Sequence, residues 1–339
     1  MSEALAVKYR PQEWDQICGQ SSIVKILTRQ LELKEFKNAY LFAGSSGSGK
    51  TTIGRIFANK INEGLGSPIE IDGASNNGVD NVKNIIKTAK ERSIDSKYKV
   101  YIIDECHALT NQAWQAFLKC IEEPPKYTIF IFCTTDPQKI PDTIKNRVQR
   151  FTFNRISVDR IRDRLAYICK QEGFTNFEES IDYIAKISDG GMRTAISYVD
   201  KCAGYSTDLN IRNVLESLGN YSYDTFFTLI NNMIDGNERD VLQVISKFYD
   251  EGNDLKLFVD QYLNFCIDVT KYSLFKSCDN IRIPLSMEPR LQSSINFDNA
   301  SKYYSYVIDK LLTLKNMLKN DNSPRSTIEV MMLQITRCV

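Results

Sequence analysis

Lys50 and Thr51, preceded by Gly44, Gly47 and Gly49, are the residues of this sequence best equipped to handle phosphate. The stretch Gly44-Ser45-Ser46-Gly47-Ser48-Gly49-Lys50-Thr51-Thr52 fits the phosphate-loop pattern Gly, any four residues, Gly-Lys-Ser/Thr. Its glycines let the backbone turn and bring N–H groups onto phosphate oxygens. Lys50 has the length to reach the β and γ phosphates, and the Thr51 hydroxyl is placed to ligate Mg²⁺. Farther along, the apolar run from Lys99 to Ile103 ends in Asp104-Glu105. Asp104 is suited to hold Mg²⁺, directly or through water, and Glu105 to orient and polarise an attacking water. The two stretches together read as a site for cleaving a nucleoside triphosphate.

Such residues act together only if strands and helices bring them to one rim. Ala39–Ala43 is a short apolar run that predicts a buried parallel strand, and apolar residues at 53, 56, 57 and 61 predict a helix after the loop. Further strands are predicted at 68–72, 99–105, 127–133 and 150–153. Helices are predicted at 23–33, 79–92 and 111–121, the last stopped by Pro124-Pro125. Thr134-Thr135-Asp136 falls at the carboxyl end of a strand, where parallel sheets bind ligands. A threonine there either senses the γ-phosphate or the attacking water, or satisfies its own turn. Tyr9-Arg10-Pro11 either lines a base pocket or caps the sheet. Lys83, Lys87 and Lys90 follow the turn-rich segment Gly73-Ala74-Ser75-Asn76-Asn77-Gly78 along one flank of a helix. That row fits a phosphodiester backbone, and it equally fits an ordinary solvated face. Cys106 and His107 receive no chemical role.

Strand signals stop near residue 156. Helices are expected at 157–171, 178–188 and 192–203, the last placing Arg193 at its start after Gly190-Gly191. Residues 207–339 read as helical throughout, with breaks near Gly219, Gly236, Gly252 and Pro284 to Pro289. Three parts follow: an α/β nucleotide-binding domain at 1–155, a helical lid at 156–206 and a helical collar at 207–339.

Composition narrows the classes. The 339 residues call for two or three domains. A net charge of +1 leaves nucleic-acid contact to a local patch. No apolar run is long enough to cross a bilayer and Met1-Ser2-Glu3-Ala4 lacks the layout of a secretion signal, so a cytoplasmic protein without membrane contact is expected. Nine cysteines with no Cys-x-x-Cys pair read as reduced thiols. The single histidine, His107, argues against a His-based hydrolase.

The motifs taken together resemble the AAA+ ATPases and, more narrowly, the gamma/tau subunit family of bacterial DNA polymerase III clamp loaders. The carriers are Lys8-Tyr9-Arg10-Pro11, the phosphate loop, Ile71 to Asp80, Val100 to His107, Leu118 to Pro125, and Thr134-Thr135-Asp136-Pro137-Gln138-Lys139-Ile140-Pro141. The resemblance implies a P-loop AAA+ domain with a parallel sheet, a helical lid and an all-helical collar. It implies ATP and Mg²⁺ as ligands, with a sliding clamp, primer-template DNA and other subunits of a pentameric ring as partners. Thr135 falls on the sensor 1 position, with Thr134 the alternative, Arg193 on sensor 2, and Arg147 on the arginine finger that serves a neighbour's ATP. Ser75, Asn76, Asn77, Lys83 and Lys87 take the DNA-facing positions. Departures are Asn146-Arg147-Val148 in place of Ser-Arg-Cys, and Arg193-Thr194 in place of Arg-Asp. The interval Asn62–Ser67 is too short for the family's four-cysteine zinc module, so no zinc is expected. No tau extension is expected either, as in a compact member such as one encoded by a phage. The alternatives are another AAA+ DNA motor, of helicase-loader or branch-migration type, and a scaffold arm that binds partners without turnover.

Overall fold

A computed structural model describes residues 3–279, 281–321 and 323–337. By compactness it divides into two units, residues 1–168 with 188–200, and residues 169–187 with 201–339.

The first unit is built on five parallel strands: β1 (Ala39–Gly44), β2 (Ile69–Asp72), β3 (Lys99–Asp104), β4 (Thr128–Thr134) and β5 (Gln149–Phe153). They lie in the order β2-β3-β4-β1-β5. Its helices are α1 (Leu5–Lys8), α2 (Ser21–Leu33), α3 (Lys50–Ile61), α4 (Val79–Ala89), α5 (Asn111–Glu122) and α6 (Asp142–Lys145). The first turns of α7 (Val158–Glu172) and, beyond α8 (Glu178–Ile187), of α9 (Met192–Tyr205) belong to it as well.

Alternation along the strands builds two cores. Leu41, Tyr101, Ile103, Phe130 and Phe132 face α4 and α5, where Val82, Trp114 and Phe117 meet them. Tyr40, Phe42, Val100, Ile102, Ile129 and Ile131 face α2 and α3, against Leu27, Ile53 and Phe57. Central strands covered on both faces read as continuous apolar runs, which is why β1, β3 and β4 are legible in the sequence. Each fully buried Phe here is worth about 1.5–3 kcal/mol of transfer free energy.

Because all five strands are parallel, the chain leaving β1, β3 and β4 emerges on one rim, and that rim carries the phosphate loop, Asp104-Glu105 and Thr134-Thr135. Gly44 ends β1 directly against β5. A Cβ at this position would overlap the Phe153 carbonyl oxygen and lie 2.7 Å from Phe153 Cβ. We therefore expect Gly44→Ala to destabilise the fold by about 1–3 kcal/mol, as an overpacked core position does. A chemical-denaturation midpoint that does not move would refute this reading of β1 and β5.

Several boundaries differ from expectation. The helix expected at 79–92 ends at Ala89, where Lys90 is its C-cap and the chain turns toward β3. Thr134 is the last residue of β4 and not the first of a turn. The break expected near Pro284–Pro289 is present between the helices Leu255–Phe275 and Glu288–Ser294, with a 3-10 turn at Leu285–Met287; Pro289 itself falls in the first turn of the second helix, where proline is tolerated because that N–H has no partner anyway.

The second unit is helical. It holds α8, α10 (Ile211–Leu218), α11 (Tyr223–Ile234), α12 (Glu238–Asp250), α13 (Leu255–Phe275), α14 (Glu288–Ser294), α15 (Ala300–Met317) and α16 (Pro324–Thr336). Gly219, at φ +74°, ends α10 as a left-handed cap, a conformation that costs other residues energy. Phe226, Phe258, Tyr262 and Phe265 form a contiguous ring cluster at its centre. Among the described residues no helix is long and apolar enough to cross a membrane, and all eight described cysteines are free.

Candidate nucleotide site

The phosphate loop closes into a cradle. Gly49 precedes α3 at φ +98°, with no side-chain cap on the helix and no atom within 4 Å of where a Cβ would stand. The first-turn N–H groups of α3 are thus left for an anion, which the helix dipole favours. Lys50 is 6% exposed and donates to the Gly44 and Ser45 carbonyls, 2.9 Å each. Burial lowers its pKa, and the nearby acids Glu105 and Asp104 work against that shift. A buried ammonium held by two carbonyls is suited to a phosphate, whose full charge offsets the desolvation. Ser48 Oγ donates to the Ser45 carbonyl at 2.8 Å and fixes the loop from within.

Across the cleft, Thr51 Oγ1 donates to Asp104 Oδ2 at 2.7 Å. Two hard oxygen donors in contact, beside a phosphate cradle, match what Mg²⁺ takes. Glu105 follows in the left-handed region, at φ +44°, with its N–H on Asp104 Oδ1 at 3.0 Å. Thr135 Oγ1 donates to Glu105 Oε2 at 3.0 Å, so the hydroxyl expected to sense the γ-phosphate touches the carboxylate expected to orient water.

The cleft is lined by Tyr9, Arg10, Pro11, Ser46 to Thr52, Asp104, Glu105 and Arg193. These residues come from positions as far apart as 9 and 193, and the fold gathers them. Tyr9, Arg10 and Pro11 stand on the wall of this cleft. The Tyr9 carbonyl accepts from Arg164 Nη2 at 3.0 Å, and the Tyr9 ring meets Tyr167 edge-on at 6.3 Å. Burial disfavours the charged form of Arg10, and the nearby cations Arg55 and Arg193 add to this. An anion in the cleft would relieve that repulsion. Met192 N–H donates to the Gly47 carbonyl at 3.1 Å, which seats the start of α9 on the phosphate loop and brings Arg193 to it.

Sequence reasoning missed Gln20. Its Nε2 donates to the Asn154 carbonyl at 2.7 Å and the Ser48 carbonyl at 3.3 Å, and its Oε1 accepts from Asn154 N–H at 3.3 Å. It ties the phosphate loop to the chain leaving β5, a role with no local signature. Arg164 and the apolar wall Ile17, Ile156 and Ile196 were missed for the same reason.

Two groups of expected residues stand apart from the cleft. Arg147 lies before β5, beside Asn38 and Ala39 at the start of β1, while the phosphate loop leaves the other end of that strand. Six residues of strand separate them, about 17–20 Å. There its Nε meets Glu122 Oε1 at 2.7 Å and its Nη1 donates to the Thr143 carbonyl at 2.8 Å. Ser75, Asn76 and Asn77 form a turn organised by Asp72, whose carboxylate accepts from Ser75 Oγ at 2.5 Å and whose carbonyl accepts from Asn76 Nδ2 at 3.0 Å. Lys83 and Lys87 are exposed on α4, with Lys83 3.5 Å from Asp80.

The family described as "DNA polymerase III, delta subunit" matches residues 67–157. The chain is 33% identical to DNA polymerase III subunit tau of Bacillus subtilis (strain 168), over 98% of this chain and 63% of that protein. It is 30% identical to DNA polymerase III subunit gamma of Buchnera aphidicola subsp. Acyrthosiphon pisum (strain APS), over 80% of this chain and 82% of that one. It spans 42–55% of several longer relatives. The solved Thermotoga maritima RuvB Holliday junction branch migration motor superposes with a TM-score of 0.53 at 20% identity, covering 67% of this chain and 79% of that one. That likeness carries the fold, an AAA+ domain followed by helical domains. With the cradle, the acid pair and identity over most of a full-length relative in agreement, the chain belongs to the gamma/tau subunit family of DNA polymerase III.

Proposed function

We propose that the chain is an ATP-hydrolysing motor subunit of a sliding-clamp loader, which opens the clamp and places it on primed DNA. The observation that carries this reading is the split site: Lys50, Thr51, Asp104, Glu105, Thr135 and Arg193 gather at one end of the sheet, and Arg147 stands at the other. Lys50 and the first turn of α3 bind the phosphates. Arg193 adds positive charge from α9, and Glu105 takes the proton of the attacking water. Mg²⁺, when bound with the nucleotide, neutralises charge on the β and γ oxygens, and Thr51 and Asp104 are the residues that would hold it. Arg147 serves the nucleotide of an adjoining subunit, so turnover depends on assembly into a ring. The three-part division at 1–155, 156–206 and 207–339 then assigns nucleotide binding, lid and ring contact in turn.

DNA is read by backbone charge through Ser75, Asn76, Asn77, Lys83 and Lys87. This loop adjoins the acid pair: Gly73 N–H donates to the Asp104 carbonyl at 2.7 Å and Thr110 N–H to the Asn77 carbonyl at 3.1 Å. The test is ATP turnover of the full chain with its partner subunits, in the presence of clamp and primed duplex. Both ligands should stimulate it. Lys83→Ala and Lys87→Ala should each lower the slope of log affinity against log salt by about 1. Turnover indifferent to the clamp favours a different DNA motor, and unchanged DNA-stimulated turnover in the lysine variants removes the DNA assignment.

A further inference from the structure

His107 is the only histidine in the sequence, and it sits within the 3-10 turn Cys106–Ala108 that follows the acid pair. Its Nδ1 lies 3.3 Å from Glu105 Oε2 and 3.2 Å from Thr134 Oγ1. The Thr134 hydroxyl is itself fixed, since it is buried at the end of β4 and accepts from Asp136 N–H at 3.0 Å. The turn is anchored by Cys106, which is fully buried. The imidazole therefore has a defined place, set by two rigid elements and not by its own flexibility.

Glu105 needs such a neighbour. Its side chain is 40% exposed and carries three rotatable bonds on a backbone in the left-handed region. One hydrogen bond, from Thr135, holds Oε2 but leaves the carboxylate free to pivot about it. The His107 ring, hydrogen-bonded through Nδ1 to Thr134 Oγ1 and 3.3 Å from the same oxygen, limits that freedom and leaves Oε1 for the cleft, where no described residue bonds it. A carboxylate at this distance repels a ring nitrogen lone pair, so the arrangement favours the tautomer with the proton on Nδ1.

We propose that His107 is a positioning residue for ATP hydrolysis: its Nδ1 edge, anchored on Thr134 Oγ1 and 3.3 Å from Glu105 Oε2, acts with the Thr135 hydroxyl to hold that oxygen so that Oε1 faces the attacking water. The inference rests on the reading of Glu105 as the water-orienting base. It predicts an effect on kcat and none on nucleotide binding, because His107 is absent from the cleft lining.

The test has two arms. In the first, the ¹⁵N shifts of the single imidazole of the full chain report which nitrogen carries the proton, with no assignment needed. Nδ1 is expected to be protonated, and its signal should move in Glu105→Gln. In the second, turnover is measured in the complete complex with clamp and primed DNA. His107→Ala is expected to lower kcat about tenfold, a loss of about 1.4 kcal/mol of transition-state stabilisation, with KM for ATP within about twofold. His107→Asn, whose amide nitrogen occupies nearly the position of Nδ1, should restore most of the rate. A proton on Nε2 with a bare Nδ1, wild-type kcat in His107→Ala, or a parallel loss of rate and ATP affinity overturns the proposal. Failure of Glu105→Gln to slow an active wild type would instead remove the reading beneath it. A wild type without turnover would remove the ATPase reading, and the first arm would still decide the contact.

Discussion

Arg147→Ala is expected to lower ATP turnover of the assembled complex by about 10³-fold or more while leaving ATP binding by the single chain unchanged. The size follows from the charge that develops on the transferring phosphoryl group, which a guanidinium in a water-poor interface stabilises strongly. The separation of binding from turnover follows from position. Arg147 stands at the amino end of the sheet, a strand length from Lys50, so within one chain it cannot touch the phosphates that Lys50 holds. The ion pair with Glu122 and the bond to the Thr143 carbonyl use the Nε and one Nη1 donor, leaving the Nη2 edge of the guanidinium for a second partner. The measurement is turnover of the complex against the affinity of the single chain for a fluorescent ATP analogue. A mixture of Lys50→Ala and Arg147→Ala chains, each inactive alone, should regain activity wherever an intact finger adjoins an intact cradle. Full-rate hydrolysis by isolated Arg147→Ala chains would abolish the split-site reading.

Glu105→Gln is expected to reduce turnover by about 10²- to 10⁴-fold, the range for loss of a general base, with ATP affinity preserved. The substitution keeps length and shape, and the Gln carbonyl oxygen can still accept from Thr135 Oγ1 at the place Oε2 occupies. Lost are the negative charge and the second acceptor, so the amide cannot draw a proton from water. Lys50 is untouched, and its bonds to the loop carbonyls do not involve Glu105. Equilibrium binding and single-turnover kinetics, measured on one preparation, separate the two effects. Preserved turnover in Glu105→Gln would mean that another group activates the water, and the non-hydrolysing scaffold would be favoured if wild type and variant were equally inert.

The chemistry-bearing residues were legible because each motif is local. The phosphate loop needs only glycine spacing and a lysine-threonine pair at a strand-to-helix junction. The acid pair needs only a buried strand before it. The two-sided burial of β1, β3 and β4 turned those strands into uninterrupted apolar runs. β2, an exposed edge strand of four residues, was expected at 68–72 and lies at 69–72, within one residue, as for the central strands. Pro289 alone departs from the expected break, since it sits in the first turn of α14, which proline fits.

What the sequence determined by itself was the kind of site and the strands and helices that flank its motifs along the chain, because glycine, lysine and acid spacing and apolar periodicity are properties of neighbours along the chain. What the tertiary structure decided was company: Gln20 on the phosphate loop, Arg10 beside Arg193, His107 against Glu105, and Arg147 a strand away from all of them. Those pairings depend on parallel strands delivering distant segments to one rim or the other, and packing across a sheet leaves no periodic mark in the chain that folds into it.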